Sequence, residues 1–203
     1  MKDIRFARFL VTLNCAVPVC LLGFDALQNR LGANPVNFAI RTTGLLSLIY
    51  LMLSLTTTPV GRMTGWNWLT NFRRTLGLSA FFHGLLHFSL FFGLDRAGSL
   101  SGTISEMSIR PYLAVGTVSL LLMAPLAVTS TNRMIKRIGA RRWKQLHRLA
   151  YPAAIAGVCH YFMLVKADVR QPVAFAVVLV ALLAFRIVAA TLNRRVAVST
   201  GRV

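Results

Sequence analysis

Residues 76–94 read LGLSAFFHGLLHFSLFFGL, an apolar run that contains two histidines, His83 and His87, and no Asp, Glu, Lys or Arg. A helix needs about 20 mainly apolar residues to cross the hydrocarbon core of a membrane. The run therefore predicts a membrane-spanning helix that holds imidazoles at membrane depth. Because ionisable groups are costly in hydrocarbon and usually functional there, this segment indicates both the fold class and where to look for a site.

Five further stretches have the same character, so the sequence predicts an all-α, polytopic membrane protein of about six transmembrane helices. Residues 1–203 form a single domain in this interpretation, and no internal repeat or separate soluble domain is evident. The first apolar run is interpreted as a retained helix, because no small-x-small cleavage site follows it. The predicted helices cover residues 6–24, 42–58, 76–94, 112–130, 147–165 and 172–190.

The composition supports a membrane environment and argues against nucleic-acid binding. The chain is 56% hydrophobic and 14% charged, with a net charge of +18, whereas soluble domains are about 25% charged. If the N-terminus lies inside, the inner segments carry sixteen Lys and Arg residues and the outer ones six. This asymmetry accounts for the basic excess without an acidic ligand, and it predicts that both termini are cytoplasmic.

The three cysteines give no sign of a metal or covalent cofactor site. Cys15, Cys20 and Cys159 all lie in apolar stretches, and no CxxC or CxxCH occurs. Zinc binding and covalent c-type heme are therefore unsupported, and the cysteines are interpreted as small apolar helix residues.

Two of the four histidines are predicted at similar depths in the membrane. His87 lies about 16 Å from the inner end of the third helix, and His160 lies about 20 Å from the inner end of the fifth, at 1.5 Å per residue. Neutral imidazole is a common axial ligand of heme iron. Bis-histidine ligation of one heme between these two helices is therefore sterically reasonable.

His147 lies near the inner surface, where it could ligate a second heme, contact a propionate or serve as a plain interfacial residue. On a straight helix it would be about 140° from His160, so the two would not share a face. Pro152 lies between them and could kink the helix. The sequence leaves this geometry open.

The other polar groups near these helices have both a structural and a functional interpretation. His83 shares a helix face with His87 and is interpreted as a structural residue that makes an interhelical hydrogen bond. Arg73 and Arg74 either fix the topology or bind heme propionates, a flavin phosphate or a docking partner, because arginine pairs bidentately with anionic oxygens.

Short segments that follow one another along nearly the whole chain carry a family resemblance. In their order and spacing they are similar to the MsrQ (formerly YedZ) family, a group of ferric-reductase-like transmembrane proteins. The segments are Gly32-Ala-Asn-Pro-Val36, Thr58-Pro59, Arg73-Arg-Thr-Leu-Gly-Leu78, Leu86-His87-Phe88, Arg110-Pro-Tyr112, Thr129-Ser-Thr131, Gly139 to Trp143, Leu146-His147-Arg-Leu149 and His160-Tyr161.

The resemblance implies heme b, one or two per chain, with His87, His147 and His160 as ligands of heme iron, and it associates FMN with the protein. It implies electron transfer across the bacterial inner membrane, from the quinone pool or a cytosolic flavin reductase. The acceptor would be MsrP, a periplasmic molybdopterin enzyme that reduces methionine sulfoxide in oxidised proteins.

No catalytic residue is predicted in the chain itself, which contains no GxGxxG sequence and no P-loop. We therefore interpret it as an electron-transfer subunit rather than a catalytic subunit. A stand-alone ferric or quinone-linked cytochrome b reductase and a non-redox helical transporter are the alternatives that the sequence leaves open.

Overall fold

The computed structural model describes residues 2–199, and the side chains of residues 4–192. All regular structure in this part of the chain is helical. Four residues counted in the charge asymmetry, Lys2, Arg194, Arg195 and Arg202, have side chains outside the described set. The α-helices are α1 (Lys2–Leu27), α2 (Pro35–Thr64), α3 (Arg73–Leu90), α4 (Leu100–Ile109), α5 (Pro111–Val128), α6 (Asn132–Ile138), α7 (Ala140–Leu146), α8 (Ala150–Leu164) and α9 (Arg170–Ser199).

The predicted membrane helices are present, which confirms the all-α polytopic fold. The fifth predicted segment, residues 147–165, is α8, which has 15 residues and follows a 3₁₀ turn over His147–Leu149. Turn and helix together are about 28 Å long, close to the hydrocarbon thickness of about 30 Å. Five described stretches are long and apolar enough to cross a membrane: Ile4–Leu27, Pro35–Thr64, Asn67–Asp95, Pro111–Val128 and Arg170–Leu192.

The connectors contain helices that the sequence interpretation missed. Helix α4 lies in the connector predicted over residues 95–111, and α6 and α7 lie in the one predicted over 131–146. Side chains cap two of them, because Ser99 Oγ accepts a hydrogen bond from the Gly102 amide and Thr131 Oγ1 accepts one from Met134. All three are too short to produce a hydropathy signal.

Helix α2 is longer than predicted at both ends. It begins at Pro35, where Asn34 Oδ1 accepts a hydrogen bond from the Asn37 amide, and it ends before Gly65, whose φ is 74°. The expectation that the helix ends before Pro59 is wrong, since the helix runs through this residue. Proline has no N–H to donate, so the carbonyl of Leu55, four residues earlier, loses its helical partner.

The helical hairpins α2–α3 and α5–α8 are built alike. In the first, Ser47 Oγ donates a 2.8 Å hydrogen bond to the carbonyl of Ala80. In the second, Ser119 Oγ donates a 2.8 Å hydrogen bond to the carbonyl of Ala153. Each serine also lies against a glycine of the partner helix, which permits the close approach common in membrane bundles. The equivalent residues, 72 or 73 positions apart, are Ser47 and Ser119, Ala80 and Ala153, and Gly84 and Gly157.

Both hairpins run in the same direction through the bundle. Helices α2 and α5 lead towards the end where α6 and α7 lie, here called the basic end, and α3 and α8 return to the far end. This arrangement is typical of parallel repeats related by an axis along the helices. The expectation that the chain has no internal repeat is therefore wrong. The repeat is hard to recognise in the sequence because its two copies share few residues.

Candidate cofactor site

The structure brings His87 of α3 and His160 of α8 together, as their predicted depths required. Their ring centroids lie 6.2 Å apart, and the ring planes are inclined by 76°. Two imidazoles on opposite sides of one metal ion have centroids about 6 Å apart, given metal–nitrogen distances of about 2 Å. The spacing therefore fits a shared metal between the two hairpins.

Backbone carbonyls hold both rings in the orientation that a metal ligand needs. His87 Nδ1–H donates to the carbonyl of Ile40 over 2.8 Å, and His160 Nδ1–H donates to that of Tyr112 over 2.7 Å. Because a carbonyl can only accept, Nδ1 carries the hydrogen, and Nε2 of the neutral ring keeps its lone pair. Metal-bound histidines are usually anchored through their second nitrogen in this way.

Glycines make both of these contacts sterically feasible. A Cβ atom at Gly44 would lie 2.9 Å from His87 Nδ1, and one at Gly116 would lie 2.7 Å from His160 Nδ1. The sequence interpretation missed both glycines. The signal that could have found them is the spacing Gly-x-x-Ser inside a predicted membrane helix, which occurs at 44–47 and again at 116–119. The histidine pair is thus part of the repeated hairpin.

His147 lies at the basic end, in the 3₁₀ turn that precedes α8. Pro152 is in the first turn of α8, where proline is tolerated, so no kink separates His147 from His160. Instead, the α-helix starts only after His147, and the angle expected for a straight helix does not apply. The ring packs against Trp143 with centroids 3.9 Å apart, and Nε2 is 3.3 Å from Thr129 Oγ1.

His147 lines a cavity of about 610 Å³ at the basic end. This volume lies within the range of about 300–1,000 Å³ that is usual for ligand sites. No acidic residue among the described side chains lines the cavity, so its charge suits an anionic ligand. The basic residues in the lining are Arg62, Arg73, Arg74, Lys144, Arg148 and Arg186, alongside His147.

His147 shares its surroundings with two arginines. The guanidinium groups of Arg73 and Arg74 line the same cavity, and like charges near the ring disfavour its imidazolium form. The neutral imidazole is the form that binds a metal.

The repeat does not provide His147 with a histidine partner. An offset of 73 residues places Arg74 of the first hairpin at the position equivalent to His147. Arg74 Nη1 donates a 2.7 Å hydrogen bond to Asn132 Oδ1. Arg73, Arg74 and His147 all line the same cavity. The basic end combines one imidazole with guanidinium groups.

His83 belongs neither to the His87–His160 pair nor to the lining of the basic cavity. Its Nδ1–H donates a 2.7 Å hydrogen bond to the carbonyl of Ser79, one turn earlier in α3. The prediction that His83 makes a hydrogen bond to another helix is therefore wrong. The ring is buried and packs against Tyr50, at 4.9 Å between centroids.

The comparisons with known proteins agree with this geometry. A family model described as "Ferric reductase like transmembrane component" matches residues 39–158. The protein-methionine-sulfoxide reductase heme-binding subunit MsrQ of Rhodospirillum rubrum is 42% identical over 191 residues, which cover 94% of this chain and 92% of the relative.

Two further relatives carry the same description. The protein of Ralstonia nicotianae is 40% identical, covering 92% of this chain and 87% of the relative. The protein of Herminiimonas arsenicoxydans is also 40% identical, covering 91% of this chain and 86% of the relative. Identity at this level over almost the whole length confirms the resemblance that the sequence segments indicated, and the chain therefore belongs to the MsrQ family of ferric-reductase-like transmembrane proteins.

Proposed function

We propose that this protein binds heme b through His87 and His160 and passes electrons across the membrane to a methionine sulfoxide reductase. The observation that carries the proposal is the anchored imidazole pair, with centroids 6.2 Å apart and both Nδ1 atoms held by carbonyls. Two imidazoles form a complete axial set for heme iron, whereas zinc sites need four ligands. The names of the MsrQ relatives, which describe heme-binding subunits, point to the same cofactor.

Each part of the chain contributes to this role through position rather than through chemistry. Heme, when bound, supplies one-electron redox chemistry. His87 and His160 would hold it between the hairpins, and Gly44 and Gly116 allow each ring to reach its carbonyl. The membrane helices around the pair exclude water from it.

The basic cavity is proposed to hold a second cofactor near the other membrane surface. His147 would ligate a second heme b or contact a heme propionate, and Arg73 and Arg74 would bind propionates or the phosphate of FMN. The cavity lining supports such a cofactor, because His147 can bind a metal and the surrounding basic residues can bind anionic groups.

The proposed route runs from the cytoplasmic side to the periplasmic side of a bacterial inner membrane. We place the basic end and both termini in the cytoplasm, because Lys and Arg are concentrated in those connectors. Electrons would come from the quinone pool or a cytosolic flavin reductase. They would leave to a periplasmic MsrP-like molybdopterin reductase, which repairs oxidised proteins.

The absorption spectrum of the purified protein tests the proposal. Protein from heme-replete cells should be red, with a Soret band that sharpens and shifts when dithionite is added. In membrane vesicles, the reduced form should be reoxidised by an MsrP-like reductase together with methionine sulfoxide. A colourless preparation would overturn heme binding, and a red protein that the reductase cannot reoxidise would overturn the proposed acceptor.

A further inference from the structure

Arg186 is a charged residue in the middle of an otherwise apolar membrane helix. It lies in α9, where residues 172–190 contain no other Asp, Glu, Lys or Arg. Its guanidinium carbon lies 5.2 Å from the centre of the Tyr151 ring, which is a cation–π contact. Charged residues within membrane helices usually mark a functional site or an ion partner.

Part of the environment of Arg186 has a structural explanation. Its Nη2 donates a 2.7 Å hydrogen bond to the carbonyl of Leu55 in α2. This is the carbonyl that lacks a helical donor because residue 59 is a proline. Arg186 thus satisfies a buried acceptor that Pro59 creates, and this contact ties α9 to α2.

The contacts with Leu55 and Tyr151 leave one N–H group of Arg186 unpaired within the described part of the chain. Nη1 is buried and has no hydrogen-bond partner among the described residues. Arg186 also lines the basic cavity together with Arg62 and Arg73, and none of its described lining residues is acidic. A buried donor that has no acceptor is costly, and the nearby like charges add to that cost. The arrangement is stabilised when an anion binds in the cavity.

We propose that the guanidinium of Arg186 binds an anionic oxygen, a carboxylate or a phosphate, of the cofactor in the basic cavity. The inference rests on the proposed function for the identity of that cofactor, which is a heme with propionates or a flavin with a phosphate. It assigns Arg186 a ligand-binding role in addition to its contact with Leu55. Guanidinium is well suited to this role because it presents several N–H donors to anionic oxygens.

The test compares three variants of the purified full-length protein with the wild type. Arg186→Leu removes the charge and the hydrogen bond to Leu55, and Arg186→Lys keeps the charge. The double variant Arg186→Leu with Pro59→Ala restores an N–H donor to the Leu55 carbonyl without restoring the charge. Arg170→Leu is the control, because that side chain lies at the far end of α9 and is 92% exposed.

Heme and FMN per protein are measured after extraction, and the heme midpoint potential is measured by spectroelectrochemical titration. For Arg186→Leu we expect about ten-fold to a hundred-fold weaker retention of one cofactor, the range expected for losing one charge-assisted hydrogen bond. Arg186→Lys should recover part of that loss, and the double variant should recover none. Loss of heme, or a lower heme midpoint potential, identifies a propionate as the ligand, and selective loss of FMN identifies a phosphate.

Two outcomes would overturn this inference while leaving the proposed function intact. One is a wild type that contains heme, together with an Arg186→Leu variant of unchanged cofactor content and midpoint potential. The other is full recovery in the double variant, which would mean that Arg186 only satisfies the Leu55 carbonyl. A wild type without heme or flavin would overturn the proposed function as well.

Discussion

The bundle is symmetric at its far end and asymmetric at its basic end. At the far end, each hairpin contributes one histidine, one glycine beneath the ring and one carbonyl that fixes Nδ1. At the basic end, the second hairpin contributes His147 while the first contributes Arg74 at the equivalent position. The same backbone repeat therefore supports two different kinds of site.

The two ends of the bundle therefore differ in what they offer a ligand. The far end offers a fixed pair of imidazoles, and the basic end offers positive charge. The far-end pair has the ring spacing and the tautomer that the proposed heme ligation requires. The basic end has a wide cavity and an excess of positive charge, so it selects a ligand mainly by its anionic groups. Changes to the far-end pair should therefore have large effects, and changes at the basic end smaller ones.

The largest expected effect is the loss of heme from His87→Ala and from His160→Ala. Each replacement removes one of the two proposed heme ligands, so the two variants should lose heme to a similar extent. The measurement is heme per protein, determined as the pyridine hemochrome. His83→Ala is the matched control on the same face of α3 and should keep its heme. The symmetry would be broken if one of the two histidine variants kept full heme.

The next effect concerns the glycines beneath the rings. Gly116→Ala and Gly44→Ala should each weaken heme retention about ten-fold to a hundred-fold, the range for disturbing the group that orients a metal-bound histidine. The effect should be larger at Gly116, where an added Cβ would lie 2.7 Å from the ring rather than 2.9 Å. Gly23→Ala is the control, since nothing lies within 4 Å of its Cβ position. Equal heme content in all three variants would contradict the packing argument.

A smaller effect is expected from His147→Ala, which probes the asymmetric end. The far-end pair should keep its heme and its low-spin spectrum, because His147 takes no part in that site. Any second cofactor should be lost or show an altered spectrum. Heme and FMN per protein are compared with the wild type. Loss of all heme in this variant would show that the two ends are not separate sites.

The smallest effect is expected for the serines that join the helices of each hairpin. Ser47→Ala and Ser119→Ala each remove one interhelical hydrogen bond, worth about 0.6–1.7 kcal/mol in a membrane bundle. The midpoint of thermal unfolding in detergent, followed by heme absorbance, should fall slightly and by similar amounts. A large drop in only one of them would indicate that the hairpins are not stabilised alike.

Much of this arrangement could be predicted from the sequence, because hydropathy and helical rise are local properties. Hydropathy predicted the membrane segments, and the helical rise per residue predicted that His87 and His160 lie at similar depths. The repeat was missed because its copies share only a few small residues, such as Gly44 and Gly116. The role of Arg186 depends on a carbonyl more than 130 residues away in the chain, and no local pattern reports such a contact.

The central claim is that one histidine from each hairpin ligates a single heme, and electron paramagnetic resonance of the ferric protein tests it most directly. Two imidazoles give six-coordinate, low-spin iron, and rings inclined by 76° predict a strongly anisotropic low-spin signal. His87→Ala and His160→Ala should both abolish that signal. A wild-type spectrum that is purely high-spin, or a low-spin signal that survives both replacements, would contradict the account.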